Sequence, residues 1–297
     1  MDYIEPCCCF DSSAYRGIPD AEPCRDPIDV PAVIRELDGL YNAGREKDAL
    51  ALLERWRDAA RSRGDWRGEL SMLSELLGYH RRDGDREKAM AAVNGALDLI
   101  RIHRMGATVS GATVLINAAT TLKAFGRAKE SLPVFEHAAR VYADSLDPTD
   151  YRFAGLYNNM GLSYEDEGDY LQAERSFRLA LNVIAHSRNP ENELAVTCCN
   201  LAELYDRQDP EDPRIGEYME MAWDYLNAPS LPRNGYHAFT ISKCAPSFDY
   251  FGYFLYAKEL KERAEQIYAG KEALYAPPDE TPDMQSRHNR LQELPLE

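Results

Sequence analysis

One rhythm limits what this chain can fold into more than any other feature of it. Alanine stands at Ala96, Ala138, Ala180, Ala222 and Ala264, every step being 42 residues. Gly44, Gly84, Gly126, Gly168, Pro210 and Gly252 form a second column, with steps of 40, 42, 42, 42 and 42. Ala49, Ala89, Ser131, Ala173, Ile215 and Ala257 form a third in the same register. Small residues are needed where two helices approach closely, and glycine suits the left-handed turn that ends a helix. Three columns in one register over six units describe stacked copies of one supersecondary unit, each sharing a core with its neighbours.

The unit is clearest from Ala154 to Ser187. Tyr157, Met160, Gly161 and Tyr164 fall on one stripe of a first helix, and Gly168-Asp169 makes the turn. Tyr170, Ala173, Phe177, Ala180, Leu181 and Ile184 fall on one stripe of a second. Spacings of three and four mark one buried face per helix. Such a pair leaves apolar surface on both flanks and therefore needs neighbours.

The order Tyr157, Gly161, Tyr164, Ala173, Phe177, Ala180 resembles the tetratricopeptide repeat. A period near 42 resembles its longer-helix variant, found in kinesin light chains and bacterial peptide-sensing proteins. The resemblance runs from about Asp29 to Lys271. It implies an all-α fold: a right-handed α-solenoid of about six helix hairpins, whose first helices line a concave groove. That is a statement about architecture, because scaffolds of this kind serve many functions.

Three segments are expected: an irregular arm over 1–28, the repeat array over 29–275, and a disordered acidic tail over 276–297. Pro6, Pro19, Pro23 and Pro27 interrupt any helix in the arm. Asp29 is the expected N-cap of the first helix, with Pro31 in the first turn that tolerates it. Hairpins are then expected at 32–42 with 46–62, 66–82 with 86–104, 110–125 with 128–145, about 154–167 with 170–187, 193–207 with 214–226, and 236–250 with 253–269. The first should bury Ile34, Leu37, Leu40, Leu50, Leu53 and Trp56; the second Leu73, Leu76, Leu77, Ala89, Val93, Ala96 and Ile100. In the fifth, Asp209 to Pro213 replaces glycine with a rigid acidic corner. The sixth is dense in aromatics, from Tyr236 and Phe239 to Phe248, Tyr250, Phe251, Tyr253 and Phe254, and Pro246 predicts a kink or break there. It reads as a cap filling the open end of the array, or as an aromatic pocket at one end of the groove.

Charge narrows the partners. With 34 Lys and Arg against 50 Asp and Glu the net charge is −16. That argues against a nucleic-acid backbone or an anionic membrane and favours a basic or neutral peptide or protein. The acidic start lacks an apolar signal core. Met105 to Leu122 is uncharged for 18 residues, but it holds four threonines, a serine, an asparagine and two glycines, and it falls in phase with the repeat. It is expected as a loop end and a helix buried mid-array, and the compartment as cytoplasmic. The seven cysteines include Cys7, Cys8 and Cys9 in a row, then Cys24, with Cys198, Cys199 and Cys244 in expected helices. Without paired spacing they make neither a disulfide framework nor an ordinary zinc site, so no metal and no other cofactor is expected.

Side chains facing the groove should recur on the first helices at fixed phase. Asn117, Asn159 and Asn200, followed by Lys243, do so at spacings of 42, 41 and 43. Asparagine is a middling helix former, and its amide can hydrogen-bond an extended peptide backbone whatever the peptide's sequence. The resemblance adds that related peptide-binding repeats carry groove asparagines at the matching position. The competing role is a bond to the adjacent repeat that holds the array together. Beside this row lie Asn158, Glu165, Asp166, Glu203 and Asp206, with Arg81 and Lys123 toward the N-terminal end. Basic residues of a ligand would face Glu165, Asp166 and Glu203, and a carboxylate would meet Lys123 or Lys243.

No catalytic motif occurs. His237 and Cys244 share a helix face but lie seven residues apart, about 10 Å along the axis, too far to pair. The reading is therefore a non-catalytic scaffold that binds a protein or peptide segment, with neither nucleic acid nor membrane as partner. The alternatives are a ligand-responsive sensor acting through a separate output protein, and a structural module that forms a homodimer through the aromatic last unit.

Overall fold

A computed structural model of the chain describes residues 24–43, 45–187 and 189–270. Gly44, the cysteine run Cys7 to Cys9, most of the N-terminal arm and the expected tail lie outside the described residues. Among those described there are twelve α-helices and no strand. They are α1 (Val30–Asn42), α2 (Glu46–Arg63), α3 (Trp66–Asp83), α4 (Arg86–Ile102), α5 (Val109–Ala124) and α6 (Ala128–Ser145). Then follow α7 (Arg152–Asp166), α8 (Tyr170–Ile184), α9 (Glu191–Gln208), α10 (Arg214–Leu226), α11 (Gly235–Tyr250) and α12 (Phe254–Tyr268). Consecutive helices pack as hairpins, and the chain divides into two compact units after Asp147.

The columns explain the packing. Ala96, Ala138, Ala180 and Ala222 are fully buried and Ala264 nearly so, as are Ala49, Ala89, Ser131, Ala173 and Ala257. Each inter-helix turn at Gly84, Gly126, Gly168 and Gly252 has φ between 75° and 84°, a conformation that costs a side-chain-bearing residue free energy. Aspartates at Asp29, Asp65, Asp85 and Asp169 cap the helices that follow, each accepting from the backbone N–H three residues on.

In the first unit α2 packs on α3 and α4 on α5, so each hairpin covers the flank of the next. The second-hairpin core is buried as expected. In the first hairpin only Leu37 and Leu53 of the six expected residues are buried, joined by Val33, Leu52 and Ala60, while Ile34, Leu40, Leu50 and Trp56 keep partial exposure. A terminal hairpin has a neighbour on one flank only, and apolar positions on its other flank stay half open. The uncharged run from Met105 forms a 3₁₀ turn, Met105–Ala107, and then α5, which packs against α3, α4 and α6. Among the described residues no helix is long and apolar enough to cross a membrane.

In the second unit α8 packs on α9, and α11 packs on α9. The helix carrying Pro246 runs unbroken from Gly235 to Tyr250. Pro246 and Ser242, whose carbonyl the proline cannot bond, are both on the exposed side of the helix, where losing one backbone bond costs least. On α8 Phe177 and Leu181 are buried, whereas the positions two repeats later on α12 hold exposed Lys261 and Glu265. Polar residues thus stand where internal repeats bury a neighbour, as a terminal repeat requires. The aromatics of the last hairpin stack on one another and on α10: Trp223 of α10 lies flat on Tyr256 at 3.9 Å, and buried Phe248 stands edge-on to both.

The two helices of the fourth hairpin approach closely at Gly161, where a Cβ would stand 2.6 Å from the Phe177 ring. Gly161→Val is expected to lower unfolding free energy by about 2 kcal/mol or more through overpacking. Gly95 has ordinary space, 3.4 Å to Leu73, and Gly95→Ala in mid-helix is expected to raise it by about 0.5–1 kcal/mol. Urea unfolding of both variants checks the pair.

Candidate ligand-binding face

Within each unit, stacking brings first helices side by side, α3 with α5 and then α7 with α9 and α9 with α11, so residues about one repeat apart in sequence meet across them. In the first unit α5 lies against α3, and Asn117, buried, donates from Nδ2 to Ser74 Oγ at 2.9 Å. One turn on, Thr121 accepts from Arg81 Nη1 at 3.5 Å. Arg81 and Lys123 occupy the last turns of α3 and α5, where a cation meets the negative end of the helix dipole.

In the second unit the row continues with different partners. Asn158 on α7 donates to Thr197 Oγ1 on α9 at 3.0 Å, and Asn200 donates back to Asn158 Oδ1 at 3.4 Å. Asn159 turns along its own helix and donates to the Gly155 carbonyl at 2.8 Å. The recurrent asparagines therefore have two fates. Asn117 and Asn200 reach the neighbouring first helix, where Ser74 and Asn158 respectively accept, while Asn159 uses one donor locally. An amide has two donors and an acceptor, so each of these bonds uses only part of its capacity. Lys243, at the last position of the row, is exposed and holds its ammonium 4.2 Å over the Phe239 ring.

Of the three carboxylates expected to receive a basic ligand, Asp166 is the exposed one. Glu165 is buried and ion-paired with Arg207 of α9. Glu203 accepts from Ser247 Oγ of α11 at 2.6 Å. Beyond them Asp206 accepts from Tyr250 at 2.9 Å and Glu193 from Tyr236 at 2.6 Å. Burial raises the Glu193 pKa above the usual carboxylate range, and the Tyr236 hydroxyl opposes that shift. Sequence reasoning missed Thr197, Arg207 and Ser247, and it read Tyr236 only as one of the last unit's aromatics, not as the partner of Glu193. The signal that finds them is their distance of 39 to 44 residues from their partners.

His237 and Cys244 do not form a pair. His237 is fully buried, its Nδ1 is 2.9 Å from Asn192 Oδ1, and Arg233 donates to Nε2 at 2.9 Å. That arrangement requires a neutral ring with its proton on Nδ1. Burial, with Arg233 and Arg263 nearby, pushes its pKa down to about 3. Burial holds the Cys198 thiol above the ordinary thiol range, and for Cys199 the hydrogen bond with Cys244, then burial, does the same, which favours the un-ionised form of both. Among the described residues no group of three or more His, Cys, Asp or Glu side chains is arranged to hold a metal ion.

Residues 154–186 match the tetratricopeptide repeat family. No curated protein matches the sequence. Among solved structures, BtubC (BKLC) from P. vanneervenii is similar at 17% identity and a TM-score of 0.46, covering 85% of this chain and 97% of its own. Two structures of a Podosopora anserina protein described as kinesin light chain-like, with nearly identical TPR-like repeats, are also similar. The form carrying a glutamine-to-methionine substitution has 16% identity, a TM-score of 0.49 and coverage of 69% and 96%; the other has 17%, 0.47, and 68% and 96%.

Two expectations follow from these bonds. Asn158→Ala removes a link between α7 and α9 at both ends and should lower stability by about 1 kcal/mol, measured by chemical denaturation. His237 has a folded pKa below its unfolded value of 6.5, so its stabilising effect is full above pH 6.5 and falls away as pH drops toward 3. Raised Glu193 acts in the opposite sense and only in acid. Melting temperature followed from pH 7 down to pH 4 should therefore fall more steeply for the wild type than for His237→Gln.

Proposed function

We infer, from a chain that carries a tetratricopeptide repeat at 154–186 and five further hairpins of the same plan, that it is a non-catalytic scaffold holding a protein or peptide segment on its first helices. The repeat fold in general serves protein interaction, and the finer reading rests on one observation. Polar side chains recur with the repeat along α7, α9 and α11: Asn158 and Asn159, Asn200 with Glu203, then Lys243.

Charge favours the second unit as the binding half. Residues 24–147 hold 19 Lys and Arg against 19 Asp and Glu, whereas residues 148–270 hold 11 against 20. Asp166, exposed at the end of α7, and the carboxylates of α9 give a cationic segment opposite charge, and the asparagine amides meet its backbone. Such a surface steers a basic partner at low salt and loses that advantage when salt screens it.

Capture from native cell extract tests the reading. Asn159→Ala combined with Asn200→Ala should lose the partner that the wild type retains, with helicity unchanged and melting lowered by no more than a few degrees. Loss of binding in step with collapse of the fold would assign the asparagines to holding the array together. For the captured partner, affinity should fall at least tenfold between low and high salt; salt-independent affinity would remove charge from the recognition.

A further inference from the structure

Of the eight large apolar side chains that are exposed among the described residues, five gather on the last hairpin, whereas Ile102, Tyr151 and Leu171 stand apart on other elements. Leu255 is 81% exposed, Tyr250 70%, Phe254 66% and Tyr268 53%. Leu255, Phe254 and Tyr268 lie on α12, and between them the exposed charges of that helix follow an order: Lys258 and Lys261 in its first half, Glu262 and Glu265 in its second, with Glu259 half-buried and paired with Arg263. Another hairpin laid on this surface would bury Lys261 and Glu265 against apolar residues, at the cost of unpaired charge. A surface with the same order of charge running the opposite way would match it.

We propose that two copies of this chain associate through α12, antiparallel about a twofold axis near residues 261 and 262. Setting Lys258 against Glu265 of the second copy also sets Phe254 and Leu255 against Tyr268 and Ala269 of that copy. The separations are seven and fourteen residues, two and four helical turns, so these side chains share one side of the helix. In a twofold interface every such contact occurs twice. A parallel arrangement in register would set lysine on lysine and glutamate on glutamate, so the charge order selects the antiparallel one. The present partners give way easily. Lys258 reaches Glu262 at 3.8 Å and Lys261 reaches Asp249 at 3.4 Å, with more than half of every side chain in solvent.

This association does not depend on ligand binding by the first helices, and it has its own test. Sedimentation equilibrium of the full chain at low salt, from about 1 to about 200 µM, should show a reversible monomer–dimer equilibrium. Lys258→Glu and Glu265→Lys should each weaken the dimer at least tenfold with unchanged helicity, and an equimolar mixture of the two variants should restore it as a heterodimer. A wild type that stays monomeric over this range overturns the proposal, as do variants that dimerise like the wild type or a mixture that fails to recover. Growth beyond a dimer would show head-to-tail stacking and also overturn it. So would a wild type that dimerises only after residues 271–297 are removed, because the face would then belong to the chain's own C-terminal residues.

Discussion

Everything in this protein depends on pairs of helices touching through side chains no larger than a methyl group. The alanine columns at 96, 138, 180 and 222 are wholly buried, and at Gly161 even a methyl would strike the Phe177 ring. Dispersion falls off within about an ångström of contact, so this closeness fixes how the two helices of a hairpin lie on each other. It also fixes where the next hairpin can sit. Side chains about 42 residues apart are consequently neighbours whatever their chemistry, and the chain uses the fact variously: Asn117 with Ser74, Glu165 with Arg207, Ser247 with Glu203, Tyr250 with Asp206.

These links run across the same helices that the proposed ligand would occupy. A side-chain amide held by a neighbour has lost rotamer freedom before any ligand arrives, which lowers the entropy cost of binding at its remaining donor and acceptor. Structural and ligand-binding roles for the asparagines are in that sense compatible. Asn158 and Asn200 hold each other, and Asn159, beside them, is held by its own backbone.

The helices and their pairing were legible in the sequence because they follow from local periodicity and from turn chemistry at Gly84, Gly126, Gly168 and Gly252. The α10 range, Arg214–Leu226, coincides with the one read from the sequence, bounded by the Asp209 to Pro213 corner and the 227–234 loop. Burial in the first hairpin was less legible, because Ile34 and Trp56 have the right phase but, among the described residues, no preceding hairpin packs beside theirs. The division after Asp147 leaves no mark in the columns, which keep their 42-residue step across it. Nor did the sequence reveal what holds His237: Asn192 lies 45 residues away on α9 and Arg233 lies in a loop, and neither belongs to the repeat pattern.

The last hairpin is fastened in an unusual way. Arg263, on its second helix and almost wholly buried, donates to the Leu226 carbonyl at 3.1 Å and to Asn227 Oδ1 at 2.9 Å, closing the C-terminal end of α10. Stacked-hairpin proteins ordinarily fray from their ends, one unit at a time, because a terminal unit has a single neighbour. Here, peeling α12 away would break both of those charge-assisted bonds and bare the Trp223 face under Tyr256, so loss of the sixth hairpin also unfastens the end of the fifth. The fifth and sixth hairpins should therefore open together, as one cooperative block.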